Sequence, residues 1–420
     1  MTVIIAGAGI AGLTMGLTLH QIGVPFHIVE SVAQPKPLGV GINLQPPAVR
    51  ELHALGLEHV LARIGVQTRD YGFYSKTGVE IWTEPRGRAA GYRWPQYSIH
   101  RGELQMALVE AVRDRCGASS LSFGARLCGF GPEDGGVSVS VTGPGGTRAI
   151  RGRLLIGADG VHSAVRAQMY PDEGPPVWGG AIMWRGTTRA VPFLSGRSMI
   201  LAGNDSQRFV SYPISAPDPE TGLAMINWIA EKSVDPTTHF EREDWNRRVD
   251  IARFAEAFSG WDFGWIDIPD LIAGAEAVFE YPMVDRAPVD AWTDGAATLI
   301  GDAAHATYPV GSSGASQAIL DARILGAEIA AHGPSRVAAL AYEARVRPMA
   351  NQVTLANRGR GGPDAIMQIA EDRCGGDFSI LDTVLPRAER QAHADAFKRL
   401  AGISVAATNT QTPILAPDAG

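Results

Sequence analysis

The sequence predicts an α/β protein: a parallel sheet flanked by helices, interleaved with a second, mainly antiparallel β-sheet and followed by a helical C-terminal tail. Three observations predict this. The chain opens with strand, glycine-rich turn, helix and strand in succession. Residues 178–281 are rich in Trp, Tyr, Phe and Pro and carry short strand-like runs. An alanine-rich helix at 315–331 then follows a further buried strand. At 420 residues the chain exceeds one ordinary domain, and 45% apolar against 19% charged residues exclude a disordered protein.

Taken in order, residues 2–6 read as a short buried strand and 9–21 as a helix, with Leu13, Leu17 and Ile22 near helical spacing. Gly23-Val24-Pro25 ends that helix, and 26–30 is the next strand. Residues 45–65 look helical, and 102–112 form an amphipathic helix with Leu104, Leu108 and Val112 on one side. From 124 to 153 the pattern changes to alternating runs, with hairpin punctuation at Gly143-Pro144-Gly145-Gly146. An apolar strand at 151–156 runs into Gly157-Ala158-Asp159-Gly160. Strands at 181–185, 209–213 and 224–229 build the second sheet, and 297–300 is a buried strand that ends in Gly301-Asp302. The tail from 335 onward is mostly helical. The expected division is 1–177 and 286–345 for the nucleotide-binding part, 178–285 for the second sheet and 346–420 for the helical region.

Several function classes are excluded. Net charge is −7 and no block of consecutive basic residues occurs, so nucleic acid is not an expected partner. Cys116, Cys128 and Cys374 are too few and too scattered for a disulfide framework or a CxxC metal site, which suits a reducing cytoplasm. The apolar N-terminus has no Lys or Arg before it and is broken by Gly7, Gly9, Gly12, Gly16 and Gly23, which argues against a signal peptide or membrane anchor. No GxSxG elbow is present, and Gly311-Ser312-Ser313-Gly314 lacks its spacing, so a hydrolase is not expected. Asp302 and His305 have no third ligand nearby, so no metal is expected, and His305 and His162 read as structural.

Gly7-Ala8-Gly9-Ile10-Ala11-Gly12 follows a strand and opens a helix, the context in which such spacing binds a dinucleotide. Gly7 permits the tight turn, Gly9 lets the backbone approach a pyrophosphate and Gly12 allows close helix packing. Glu30 ends the second strand, where a carboxylate accepts hydrogen bonds from ribose hydroxyls. No second such motif follows a strand. The motif does not say which dinucleotide is bound.

Two later motifs bear on that choice. Gly157-Ala158-Asp159-Gly160-Val161-His162-Ser163-Ala164-Val165-Arg166 resembles the DG motif of the class A flavoprotein aromatic monooxygenases, which include p-hydroxybenzoate and salicylate hydroxylases. Gly301-Asp302-Ala303-Ala304-His305 through Gly311 resembles the GD motif of that family. The resemblance covers about residues 1–350 and extends to the phenazine-carboxylate branch through 37–43, 95–106, 281–286 and 314–321.

The resemblance implies a Rossmann-like FAD-binding domain interleaved with a substrate sheet, as in p-hydroxybenzoate hydroxylase. FAD would be the cofactor, NADH or NADPH a transient reductant, and molecular oxygen the cosubstrate. Arg101 and Gln105 would lie near the FAD phosphates, and Gly41 and Ile42 on the cofactor side. Asp159 and Gly160 would serve FAD and nicotinamide, although a carboxylate there equally caps a helix. Gly301 and Asp302 would hold the ribityl or pyrophosphate region. Pro309, Gly311, Ser312, Ser313, Gly314 and Ala315 lead into a helix whose positive end would face the flavin. Ser313 and Ser316 depart from the residues the family commonly carries, which leaves backbone contacts there rather than side-chain ones. In this family reduced flavin forms a C4a-hydroperoxide that attacks an electron-rich ring.

A planar aromatic substrate needs flat apolar walls and a few polar anchors, for which Met183, Trp184, Arg185, Tyr212, Pro213, Asn227 and Trp228 are candidates. Arg185 is placed to pair with a substrate carboxylate, and Tyr308 is the candidate contact near the reacting ring. No residue reads as an obligatory base, because a substrate phenolate or amine activates itself. The expected function is hydroxylation of an aromatic or N-heteroaromatic acid, phenazine- or salicylate-like, with accompanying decarboxylation left open. A flavin oxidase or dehydrogenase without oxygen insertion, and a non-catalytic FAD- or ligand-binding protein, are the alternatives. The partner would be the small aromatic substrate, with the chain a monomer or homodimer.

Overall fold

A computed structural model describes residues 2–36, 40–235, 247–358 and 362–416. Positions 37–39 of the phenazine-type stretch, 236–246 of the second-sheet span, and 359–361 and 417–420 of the C-terminal region lie outside them. Among the described residues the central sheet runs Thr293–Asp294, Ala297–Leu299, Leu154–Gly157, Val3–Ala6, Phe26–Glu30, Leu121–Phe123. All neighbours are parallel except the Thr293–Asp294 hairpin arm. The strands Val3–Ala6 and Leu154–Gly157 are buried at every position, which is why they read as unbroken apolar runs. The helix Ile10–Gln21 lies between the sheet and the helix Gly314–His332.

The stretch read as helical at 45–65 is two helices, Pro46–Ala54 and Glu58–Ile64, and 102–112 lies inside Arg101–Cys116. The strand expected at 151–156 divides at Arg153. Gly146–Gly152 closes a three-stranded antiparallel sheet with Arg126–Glu133 and Gly136–Gly143, and Leu154–Gly157 enters the parallel sheet. The amide of Arg153 donates to the carbonyl of Thr2 at this crossing.

The second sheet has eight strands among the described residues, in the order Arg247–Val249, Val278–Asp285, Val177–Ala190, Ala224–Ser233, Gln207–Pro213, Ser198–Asn204, Asp70–Tyr74, Glu80–Pro85. It is antiparallel apart from the pair Ser198–Asn204 and Asp70–Tyr74. The runs expected at 181–185, 209–213 and 224–229 all fall within its strands. Residues 70–85, early in the chain, supply its far edge. A small sheet of Gly41–Leu44, Gln96–His100 and Gly65–Thr68 also belongs to the fold.

Alternation along the second sheet divides its side chains between two environments. One face buries Trp184, Phe209, Trp228 and Ala230 in an aromatic core with Phe254 and Phe258. The opposite face carries Met183, Arg185, Arg208, Val210, Tyr212, Ile229 and Glu231 into a cavity. The helical tail packs Ile366, Met367, Ala370 and Cys374 against Tyr71, Phe73, Met199 and Leu201 at the far end of the sheet. Its last described segment is tied to the nucleotide-binding half, where the buried Glu51 carboxylate accepts from the Ile414 amide and pairs with Arg50 and Arg323.

Candidate active site

One cavity, about 510 Å³, opens beyond the carboxyl ends of the parallel strands and is lined by Gly7, Gly9, Glu30, Arg101, Gln105, Asp159 and Gly160. That crevice is where open α/β sheets bind dinucleotides. The three glycines of the first turn have separate duties. Gly7 has φ +100°, and a Cβ there would lie 2.5 Å from the Ala158 carbonyl oxygen. At Gly12 a Cβ would stand 2.0 Å from the Gly7 carbonyl oxygen. At Gly9 it would meet nothing within 4 Å, so only this glycine leaves open space over the turn, at the N-terminus of Ile10–Gln21. A pyrophosphate fits such a cradle. Ile10 and Ala11 form the first turn of the helix and, with Gly12, are not among the cavity-lining residues.

Side chains hold the turn in place. Glu30 accepts from the Ala8 amide at 2.7 Å and the Val32 amide at 2.7 Å, while Gln105 donates to the Ala8 carbonyl at 2.8 Å. The Ala8 residue is therefore pinned through both its amide and its carbonyl. Arg101 starts its helix at the cavity wall, its amide bonded to the Val40 carbonyl. The carboxylate of Asp159 accepts from the Ser163 hydroxyl at 2.5 Å and the Ala164 amide at 2.7 Å, capping the helix Ala164–Met169. Burial outweighs these bonds and pushes its carboxyl above the ordinary aspartate range.

A second cavity, about 230 Å³, lies over the polar-bearing face of the second sheet. Its other walls are Gly41 and Ile42, Asp302, and the loop carrying Tyr308, Pro309, Ser312, Ser313, Gly314 and Ala315. Ser312 adopts a left-handed conformation, φ +48°, at the point where this loop turns toward Gly314–His332. The Ser316 hydroxyl accepts from the Gln45 amide at 2.9 Å and ties the start of that helix to the early chain. Gly301 and Gly311 support the loop without lining either cavity.

Arg185 sets the electrostatics of this cavity. It donates to the Gly41 carbonyl at 3.2 Å, its guanidinium carbon lies 5.9 Å from the Tyr281 ring centre, and its buried Nε has no hydrogen-bond partner. Burial, opposed by Tyr212 and Tyr281 and aided by the positive charge of Arg101, lowers its pKa from the ordinary arginine value. Tyr212 lines the same space, and its hydroxyl is pushed up to about 12 by burial, opposed by Arg185. Burial also raises the Tyr308 hydroxyl, and the Asp285 carboxylate adds to it.

Four residues expected to face a substrate do not line the cavity. Trp184 and Trp228 point into the aromatic core, where the Trp184 indole donates to Glu280 at 2.8 Å and the Trp228 indole to Thr188 at 3.0 Å. Alternation puts them opposite Met183 and Arg185, which do line the cavity. Pro213 ends its strand and is not a lining residue. Asn227 acts one layer back: its side-chain oxygen accepts from the Gly41 amide at 2.7 Å.

Sequence reading also missed residues that link the motifs. Arg166, buried at the end of the DG motif, donates to the carbonyls of Ala303 at 3.1 Å and Ala304 at 2.7 Å and pairs with Glu173 at 2.6 Å. It joins the DG and GD motifs directly, and a conspicuous arginine inside a glycine-rich motif was the available signal. Asp321, in the long helix, accepts from the Gly301 amide at 2.8 Å and pairs with His305 at 2.6 Å. Arg208, Glu231 and Asp364 line the far end of the second cavity. No group of three or more His, Cys, Asp or Glu side chains among the described residues is placed to hold a metal, and no described helix is long and apolar enough to cross a membrane.

Comparison with known proteins adds to this geometry. The model of a family described as FAD binding domain matches residues 1–356. Phenazine 1,6-dicarboxylic acid hydroxylase of Lysobacter antibioticus is 46% identical over 364 residues, covering 85% of this chain and 89% of its own. Aurachin C monooxygenase/isomerase of Stigmatella aurantiaca is 32% identical over 328 residues, covering 77% of this chain and 79% of its own. Among solved structures, Klebsiella pneumoniae HpxO complexed with FAD and uric acid superposes with a TM-score of 0.73 at 22% identity, covering 97% of this chain and 96% of that one. That last likeness concerns the fold.

Proposed function

The chain belongs to the FAD binding domain family and is an FAD-dependent aromatic monooxygenase, and from that premise we propose that it hydroxylates a phenazine-type or similar N-heteroaromatic carboxylic acid. The observation that carries the substrate reading is Arg185. A half-buried guanidinium with a buried, orphaned Nε, no carboxylate partner among the described residues and an open cavity before it is suited to a ligand carboxylate. The 46% identity to a hydroxylase of a phenazine dicarboxylic acid supports the ring class.

In this reading the cradle at Gly9, with Glu30, Arg101, Gln105 and the Asp159-Gly160 turn, holds the adenosine and phosphate portion of FAD. Gly41, Ile42, Asp302 and the 309–315 loop hold its ring portion. FAD, when bound, supplies hydride acceptance from NAD(P)H and the activation of molecular oxygen. The protein's own work is to bind, orient and exclude water. Arg185 fixes the carboxylate, while Met183, Val210 and Ile229 make an apolar bed for the ring. Tyr308 closes the cavity from the loop side beside Met183 and Met283, which keeps the reacting region dry. No obligatory base is assigned among these groups.

The test is product mass after incubation of FAD-loaded protein with NADH or NADPH, phenazine-1-carboxylate, phenazine-1,6-dicarboxylate or salicylate, and labelled oxygen. A labelled atom in a phenazine product is the expected result, and loss of carbon dioxide with it identifies decarboxylative hydroxylation. NAD(P)H oxidation that yields only peroxide with every phenazine acid would count against the substrate class.

A further inference from the structure

The cavity face of the second sheet is organised in rows set by strand register. Thr187, Asn227 and Tyr212 form one row, nearest Gly41; Arg185, Ile229 and Val210 form the next; Met183, Glu231 and Arg208 form the third. Successive rows on one face stand about 6.8 Å apart along the strands. Arg185 reaches back toward the first row, to the Gly41 carbonyl. Glu231 and Arg208 of the third row therefore present a second polar group, one row beyond Arg185, that no role described so far uses.

At that end, among the described residues, Arg208 lies beside the carboxylates of Glu231, Asp205 and Asp364. Arg208 is held by three close partners: it donates to the Asn204 carbonyl at 3.2 Å, to Asp205 at 2.9 Å, and pairs with Asp364 at 2.6 Å. Each of its three nitrogens is thereby tied to the protein. Glu231 is the loosely held member, with Arg208 Nη1 at 3.8 Å, and its side chain is 13% exposed, in the lining of the cavity. Carboxylates crowded beside a buried one favour a proton on the buried group that is least tightly paired. Burial, with Asp364 and Asp205 adding and Arg208 opposing, pushes the Glu231 carboxyl up to about 7. Among the described residues, the titratable groups that face it are these three and, on the remaining walls of the cavity, Tyr71, Arg185, Tyr212, Asp302 and Tyr308.

We propose that Glu231 is the distal anchor of the substrate cavity: its carboxyl hydrogen-bonds a ring nitrogen or polar substituent of an aromatic acid whose carboxylate is held by Arg185. This rests on the aromatic-acid reading above. A protonated carboxyl donates to a ring nitrogen and accepts from a ring N–H or hydroxyl, which an arginine there would not do. The pair of anchors favours ligands that extend along the strands over single-ring acids. It also makes binding sensitive to pH, because ionised Glu231 removes the donor and adds a negative charge to a cavity that takes an anion.

The experiment measures dissociation constants of phenazine-1-carboxylate and salicylate for FAD-loaded protein by flavin absorbance, with flavin content and melting temperature as folding controls. For the wild-type protein, phenazine-1-carboxylate binding weakens about tenfold as pH rises from about 6 to about 8, the size expected for one hydrogen bond. Glu231→Gln keeps a donor and an acceptor without ionising, so it retains the affinity and loses the pH dependence. Glu231→Leu binds phenazine-1-carboxylate about tenfold more weakly at the lower pH and leaves salicylate within about twofold. Wild-type affinity in Glu231→Leu, or an unchanged pH profile in Glu231→Gln, overturns the anchor. Labelled oxygen in a phenazine product with binding indifferent to Glu231 leaves the functional reading standing and removes the anchor. Glu231-dependent binding without oxygen insertion does the reverse, and no binding of either acid removes both.

Discussion

At the residue scale, the first turn allows the requirement for a fold to be separated from the requirement for a cofactor. Gly7→Ala puts a methyl 2.5 Å from the Ala158 carbonyl oxygen at φ +100°, and it should cost about 1–3 kcal/mol or more and lower the yield of folded protein. Gly9→Ala adds a methyl in open space with φ −77°, so stability should stay within about 0.5 kcal/mol. Its effect should fall on FAD, whose dissociation constant should rise about tenfold or more, measured by flavin release against a thermal melt. Arg185→Ala should raise the apparent substrate constant for a carboxylated ring far more than for the uncharged analogue. Equal effects on the two would remove the carboxylate-anchor role. The glycine duties were legible in the sequence because strand, turn and helix are contiguous there. The orientation of Trp184 and Trp228 was not, because alternation defines two faces of a strand without saying which one meets the core.

At the scale of elements, the GD turn depends on a helix that follows it. Asp321 receives the Gly301 amide and His305 together, so the long helix fixes the start of the short one, Asp302–His305. Burial opposes a charge on the His305 ring, but the Asp321 carboxylate at 2.6 Å outweighs it and raises its pKa above the ordinary 6.5. The folded state then binds this proton more tightly than the unfolded chain. The contribution is complete below about pH 6.5 and fades as pH rises through the folded value. Melting temperature should accordingly fall with pH above this point, and His305→Gln should melt lower at pH near 6 and converge with the wild type in alkali. A constant difference between them across the range would assign the bond no ionic part. These links were hidden from sequence reading because Gly301 and Asp321 are distant in the chain and a carboxylate on a buried helix face resembles any other. The strand at 26–30, by contrast, emerged residue for residue, since Gly23-Val24-Pro25 marks its start locally.

At the scale of the whole molecule, the helical tail is fastened by ions buried between the two ends of the chain. Glu51 and Arg323 are fully buried, Arg50 nearly so, and the Ile414 amide completes the shell. Glu51→Ala removes the carboxylate that Arg50 and Arg323 share, which should cost about 3–5 kcal/mol in denaturant unfolding and free residues 411–416 for proteolysis. A loss below about 1 kcal/mol would mean that packing alone holds the segment. A second long-range dependence has consequences before the fold is complete. The hairpin of Asp70–Tyr74 and Glu80–Pro85 pairs with Ser198–Asn204, which is translated more than a hundred residues later. At ~5–20 residues per second the ribosome takes roughly 6–24 s to deliver that partner. Tyr71, Phe73, Ile81 and Trp82, all buried in the finished protein, spend this interval without their sheet neighbour. Soluble yield in a recombinant host should therefore respond to a co-expressed holdase chaperone and to growth temperature more than to added flavin.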